Sequence, residues 1–401
     1  MAVGATPLHP DFATIPPAER HRFFAGLRAA DSPAFLPYTA TEGFYALVRY
    51  EEIAQASRAP KSFSSEPSAL SLDDVPAALA GTTPSMLNLD DPRHARLRRV
   101  VSRAFTPRMI KKCEDDVAVI ARRIVDRLIE KGPCDFVTDV AMPMPLEIIC
   151  SLMGIPEEFL PGVVEATNLI LAITDSDGRI DTAVLAEQVG YFGVLMANLA
   201  EQRRKEPADD LITALVNANI DGESLTETEL GSFFRLLTVA GNETTRNAIS
   251  HALALLTEYP SQRALLLEDL DTRLPGAVEE VLRYASPVSW MRRNVVGDVE
   301  LCGHTYREGD RVLFFYASAN RDENVFDRPD DFDITRSPNP HVAFGGPGPH
   351  FCLGAHLARR EITLLLRELL TRVPGVHATA DPLYRRSSFI NGIDHLACSP
   401  V

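Results

Sequence analysis

The feature that most constrains this chain is a single helical pattern of about thirty residues between Thr226 and Pro260. Thr226 and Glu229 make a T-x-x-E capping box at its start, and Pro260 supplies the stop. Between them Leu230, Phe233, Phe234, Leu237, Ala240, Thr244, Ala248 and Leu255 recur at three- and four-residue spacing. At ~1.5 Å of rise per residue the helix is a rod on the order of 45 Å, enough to cross a whole protein. Other helical patterns surround it. Residues 93–130 read as helix interrupted near Thr106-Pro107, residues 182–204 as another that closes in Glu201 to Glu206, and a last one runs from about Leu353 to Arg372. Short β-rich stretches lie at Gly43 to Arg49 and Arg311 to Tyr316, and turn-rich composition fills 285–350. The expected class is therefore mainly α with minor β (α+β), one domain over 1–401. Its β-rich part covers about 35–65 and portions of 285–400, and its helical core about 93–284 and 353–372.

Composition narrows the function. At 45% hydrophobic the chain can bury a large core, and a net charge of −15 argues against a general binder of nucleic acid, whose affinity comes from neutralising phosphates. A local basic patch remains compatible with it. Cysteines stand at 113, 134, 150, 302, 352 and 398 with no CxxC pair, which reads as reduced, mostly buried thiols. The N-terminus has prolines and charges but no apolar signal core, and no stretch approaches the roughly 18–20 apolar residues of a membrane span. A soluble, cytoplasmic protein is expected.

The most informative local segment is Phe344 to Gly354, FGGPGPHFCLG. Its glycines and prolines hold an irregular loop that enters the last helix at Leu353. Cys352 thus stands at a helix N-terminus, where free N–H groups and the helix dipole favour an anion and are expected to lower a thiol pKa. Each element has a plainer reading. A lone cysteine at such a junction is usually structural. A glycine-rich loop can cradle phosphate, but no Lys-Ser/Thr pair follows. His350, Cys352 and His356 could bind zinc, but no fourth ligand stands at a usual spacing.

As a whole the segment resembles the haem-binding signature of the cytochrome P-450 superfamily, F-G-x-G-x-H-x-C-x-G. Gly348, His350, Cys352 and Gly354 match in register, whereas Phe344 lies one residue too far upstream because Gly346-Pro347 adds a position. The resemblance implies haem b (iron protoporphyrin IX) with Cys352 as axial ligand, Phe344 beside the sulfur, and Gly354 allowing close approach of the porphyrin.

Further segments resemble the same family in the same order. Ala240-Gly241-Asn242-Glu243-Thr244-Thr245 falls in the middle of the long helix. Its glycine costs about 0.8–1 kcal/mol relative to alanine and a loosened ladder would permit a local kink. The plain alternative is a helix-packing notch with a solvent-facing Glu. The resemblance implies an oxygen-binding groove at Ala240 and Gly241, where Thr244 hydrogen-bonds dioxygen and Glu243 relays protons. Glu280 and Arg283, at i, i+3, are alone an ordinary surface pair. They also resemble the family's E-x-x-R, and with Arg336 would form a structural triad. His94, Arg98, Arg293 and His350 would hold the haem propionates.

The implied activity is monooxygenation: one atom of O₂ enters a C–H bond and the other leaves as water. No dinucleotide fingerprint or appended reductase is present, so electrons would come from a ferredoxin and its reductase. Arg108, Lys111, Lys112, Arg359 and Arg360 are the expected docking charges. The family places Met86, Leu87, Val239, Val288, Trp290, Phe389 and Ile390 in the substrate pocket, so a hydrophobic small molecule is expected, admitted by a helix–loop–helix lid at about 160–200. The segments quoted above, with FINGIDHL, look most like bacterial hydroxylases of steroid side chains and methyl-branched lipids. Tailoring of a terpene or polyketide is the rival substrate class. A peroxygenase lacking the acid–alcohol pair and a non-catalytic haem sensor or carrier are the rival functions.

Overall fold

The structure, a computed structural model, describes residues 6–30, 33–39, 42–74, 85–105, 107–175, 182–219, 222 and 224–401. The predicted central helix is there as one element, Glu227–Glu258, of 32 residues. Both capping bonds form: the Thr226 N–H donates to the Glu229 carboxylate at 2.9 Å, and the Glu229 N–H donates to the Thr226 hydroxyl at 3.2 Å. The helix continues unbroken through Gly241. Gly241 admits a neighbour: a Cβ there would lie 3.1 Å from the Ile149 side chain, so the glycine is a notch for the helix Pro143–Met153.

Around this rod pack the helices Pro107–Lys131, Pro143–Met153, Thr182–Lys205, Leu270–Ala285 and Ala355–Arg372, whose apolar faces merge into one helical core. The break near residue 106 separates Arg93–Ala104 from Pro107–Lys131. The segment expected to form a lid holds the helices Leu160–Asp175 and Thr182–Lys205, and residues 176–181 of it lie outside the described residues. Among the described residues no helix is long and apolar enough to cross a membrane.

The main sheet runs in the order Ala34–Pro37, Gly43–Leu47, Arg311–Phe314, Met291–Val295, Phe63–Ser64. Gly43–Leu47 and Arg311–Phe314 pair in parallel, with Tyr45 opposite Val312, and the other pairs are antiparallel. Its two faces belong to two small cores. One holds Phe44, Ala46, Trp290, Leu313 and Phe315, the other Phe63, Val295, Val312, Phe314 and Tyr316. Because strand side chains alternate, Arg293 shares the face of Val312, while Trp290 and Arg292 point the other way.

Candidate active site

The cysteine loop is fixed by backbone contacts to its own start. The Cys352 N–H donates to the Phe344 carbonyl at 2.9 Å, so the extra Gly346-Pro347 does not carry Phe344 away from the cysteine. The added length lies against the helix Tyr50–Ser57, where a Cβ on Gly346 or Gly348 would collide with Ser57. Gly345, at φ 90°, makes the turn only glycine makes easily. Phe344 packs under the Arg359 guanidinium, 4.3 Å from its ring centre.

Cys352 is a free thiol, exposed, yet enough protein surrounds it that burial raises its pKa. It therefore fronts a recess. The Gly354 N–H and the charges of Arg98 and Arg359 act in the opposite direction but are outweighed. The expected lowering of this thiol by the helix terminus is thus corrected, since desolvation penalises the anion more than one N–H and two cations repay.

A basic cluster adjoins the sulfur. His94 and His350 stack with ring centres 4.1 Å apart, and Ser65 Oγ lies 3.1 Å from His350 Nε2. Arg98 donates to the Phe351 carbonyl at 2.8 Å. Arg293 is 7% exposed, lies 5.3 Å from the Phe314 ring centre, and donates to the Arg292 carbonyl at 2.7 Å. Among the described residues neither Arg98 nor Arg293 has a carboxylate within salt-bridge distance; the acids at the cluster's edge are Asp91, 3.5 Å from His94, and Asp90, which accepts from the Ser65 N–H at 2.9 Å and whose charge acts on His94 and Arg293. Burial, then Arg293, His94 and Arg98, push the His350 pKa down to about 3. Such a field calls for anions.

The central helix supplies the other half. Ala240 is exposed although the helix around it is largely buried, and the Thr244 hydroxyl donates to the Ala240 carbonyl at 2.8 Å. Glu243 is 2% exposed, not solvent-facing. Its Oε1 accepts from Arg246, from Asn247 at 2.8 Å and from Arg385 at 3.0 Å, whereas its Oε2 has no partner. The pairing with Arg246 was legible as a second E-x-x-R, at Glu243–Arg246, but Arg385 gave no sequence signal.

Comparison with known proteins decides what this arrangement belongs to. A family model described as Cytochrome P450 matches residues 159–373. Over 395 residues the chain is 45% identical to methyl-branched lipid omega-hydroxylases of Mycobacterium bovis and Mycobacterium tuberculosis, covering 96% of this chain and 92% of theirs. The chain is a cytochrome P450. It is 39% identical to a steroid C26-monooxygenase of Rhodococcus jostii, over 88% of this chain and 74% of that one. It superposes on a Mycobacterium marinum cytochrome P450 solved in complex with pseudoionone with a TM-score of 0.89, at 41% identity over 97% of each chain. It is accordingly an oxidoreductase of the monooxygenase type.

The residues of this P450 fit the haem of its family. One thiol fronts the recess, and no group of three His, Cys, Asp or Glu side chains converges on a metal among the described residues. That donor set suits an iron whose other ligands come from a macrocycle. A Cβ on Gly354 would meet no protein atom within 4 Å, so no protein neighbour demands the glycine. The acid-poor cluster of Arg98, Arg293, His94 and His350 is of the right sign for two propionates.

Beside this site the P450 builds a dense ion cluster. Arg283 grips Glu280 with two bonds of 2.8 Å, and Arg336 Nε lies 3.2 Å from Glu280 Oε2. Arg283 also donates to the carbonyls of Asn320, Pro329 and Asp331, tying three loop positions to one helix. Next to it, Glu279 meets Arg359 at 2.6 Å and His341 at 3.0 Å. Burial would raise the Glu279 carboxyl, but those partners win and hold it near about 2. Arg359 thus spends its charge on Glu279 while its side chain stays 35% exposed. Arg360 faces Glu114 at 3.4 Å, Lys111 faces Asp115 at 2.9 Å and Lys112 reaches the Asp209 carbonyl. The side chain of Arg108 lies outside the described residues.

The predicted pocket residues separate into groups. Val288 and Ile390 form a β-bridge and so stand together. Val239 is half-buried one position before Ala240, and Met86 and Leu87 sit on a short turn whose Met86 joins the helical core. Trp290 is corrected: at 1% exposed it is part of the core on the opposite sheet face from Arg293, with Phe389 packed edge-on at 5.0 Å. Strand alternation, unread in the sequence, turns it away.

Proposed function

We propose that this P450 hydroxylates a methyl-branched lipid or steroid side chain, using haem b bound through Cys352. The observation that carries the reading is the recess fronted by the Cys352 thiol, with the exposed Ala240 and the Thr244 hydroxyl on the central helix. When bound there, haem supplies the activation of dioxygen. The chain's own residues do the rest. His94, Arg98, Arg293 and His350 hold the two propionates, and Thr244 Oγ1 orients the oxygen molecule. Glu243 Oε2, free of partners, takes up and passes on a proton, while Arg246, Asn247 and Arg385 hold Oε1 still. Glu280, Arg283 and Arg336 pin the core about the cysteine loop without touching substrate.

The substrate class rests on the relatives named methyl-branched lipid omega-hydroxylase and steroid C26-monooxygenase, and on the apolar character of Met86, Leu87, Val239, Val288 and Ile390. Electrons come from a ferredoxin and its reductase in the cytoplasm. Arg359, Arg360, Lys111 and Lys112, all at least partly exposed, are the candidate contacts.

Two measurements test the proposal. Purified holoprotein, reduced under carbon monoxide, is expected to give the red-shifted band of a thiolate-ligated haem, and Cys352→Ser to lose it. Methyl-branched fatty acids and sterones are expected to shift the haem from low to high spin. Absence of the band overturns the cysteine assignment, and silence across both lipid classes overturns the substrate.

A further inference from the structure

A second concentration of buried positive charge lies outside the site described above. An open cleft with a cavity volume of about 100 Å³ lies between the helix Pro17–Arg28, the C-terminal half of the central helix and the strand Leu383–Tyr384. In a chain of net charge −15, the charged and titratable groups lining it are Arg20, His21, His251, Arg321, the hydroxyls of Tyr284 and Tyr384, and one carboxylate, Glu258.

Both of these guanidinium groups keep an Nε–H that makes no hydrogen bond. Arg321 is 3% exposed; it donates to the Tyr284 carbonyl at 2.8 Å and lies over the Tyr284 ring at 4.5 Å, while its Nε has only a long ion pair, 3.6 Å, with the exposed Asp330. Arg20 donates to Asn391 Oδ1 at 3.1 Å, and its Nε has no hydrogen-bond partner. The field is strongly positive: burial, then Arg321, Arg20, Arg28 and Arg283, press the His21 pKa down to about 2. Buried donors without acceptors are costly in a finished fold, and they mark a place where a ligand would complete the bonding. Phe12, Phe24 and Phe315 add an apolar lining.

We propose that this cleft is a second ligand site, for an amphiphilic monocarboxylate, with its headgroup on Arg20 and Arg321 and its chain along the phenylalanines. Guanidinium forks match a carboxylate in shape and charge. Glu258 on the rim disfavours a second negative charge, which selects a carboxylate over a phosphate dianion. None of these residues belongs to the basic cluster or the groove near Cys352, so the two sites bind independently named groups.

Calorimetric titration of the purified holoprotein with decanoate tests this. The wild type is expected to take up one more equivalent than Arg20→Gln, or to bind it at least about tenfold more tightly. Arg321→Gln is expected to do the same. If that variant does not fold, the half-buried Arg20→Gln decides alone. Titration with 1-decanol is expected to lack the additional equivalent. The proposal is overturned if the wild type and Arg20→Gln bind decanoate with equal number and affinity, or if decanol fills the cleft as well as decanoate. Neither readout needs turnover, so its failure leaves the monooxygenase reading untouched.

Discussion

Glu243 on the central helix and Glu280 on Leu270–Ala285 begin from the same local pattern, a glutamate with an arginine three residues on, and both end up buried. Their bonding differs. Both oxygens of Glu280 are fully used, by Arg283, Arg336, the Asn339 amide and the Asp333 N–H. Glu243 crowds its donors on Oε1 and leaves Oε2 bare in the protein interior. A carboxylate whose lone pairs are all taken by fixed cations has no room for a proton and serves as a pin. One that keeps an oxygen free of donors leaves lone pairs open to another partner. Under the proposed function, identical spacing yields a structural site in one place and a proton-handling site in the other. The deciding difference is how many groups from distant segments arrive.

The contrast is strongest in stability. Glu280→Gln leaves Arg283 and Arg336 buried without their anion, and unfolding free energy is expected to fall by about 3–5 kcal/mol. Urea denaturation measures this, and a midpoint equal to wild type would break the comparison at its root. Glu243→Gln is expected to lower product formation about 100-fold while costing clearly less stability than Glu280→Gln. Equal destabilisation by both, with turnover of Glu243→Gln near wild type, would make Glu243 a second pin. A smaller effect sharpens the picture along the same helix. His251, buried two turns beyond Thr244, has its pKa pulled down to about 4, first by burial. Its folded form stays neutral where the unfolded chain takes a proton, so stability is expected to fall as pH drops from about 6.5 to about 4. The slope is about 1.4 kcal/mol per pH unit. His251→Gln is expected to remove that share of the slope, and an unchanged pH profile would show that His251 titrates normally.

Much of the site could be read before folding because its signals are short in sequence. The capping box, the Glu-x-x-Arg spacing and the glycine-rich approach to Cys352 each involve residues within about one to three helical turns. The misreadings share a different cause. Trp290 was assigned to the pocket by its place in the chain, yet period-two alternation turns it to the face opposite Arg293. The pairing of Arg359 with Glu279, 80 residues away, had no sequence signal. The Cys352 thiol was expected to acidify at a helix terminus, but burial by remote segments outweighs that local effect.

By itself, then, the sequence determined the long central helix, the loop that presents one thiol, and the residue types that handle charge around it. These depend on backbone propensity and on neighbours three or four positions apart. Only the tertiary structure decided which buried charges are neutralised and which are left wanting a partner. Arg385 reaches Glu243 across 142 residues, Arg336 reaches Glu280 across 56, and the Nε–H groups of Arg20 and Arg321 are left without a hydrogen-bond acceptor. Electrostatic worth inside a protein depends on solvent exclusion and on the full set of contacts. Both come into being only when separate segments close over one another.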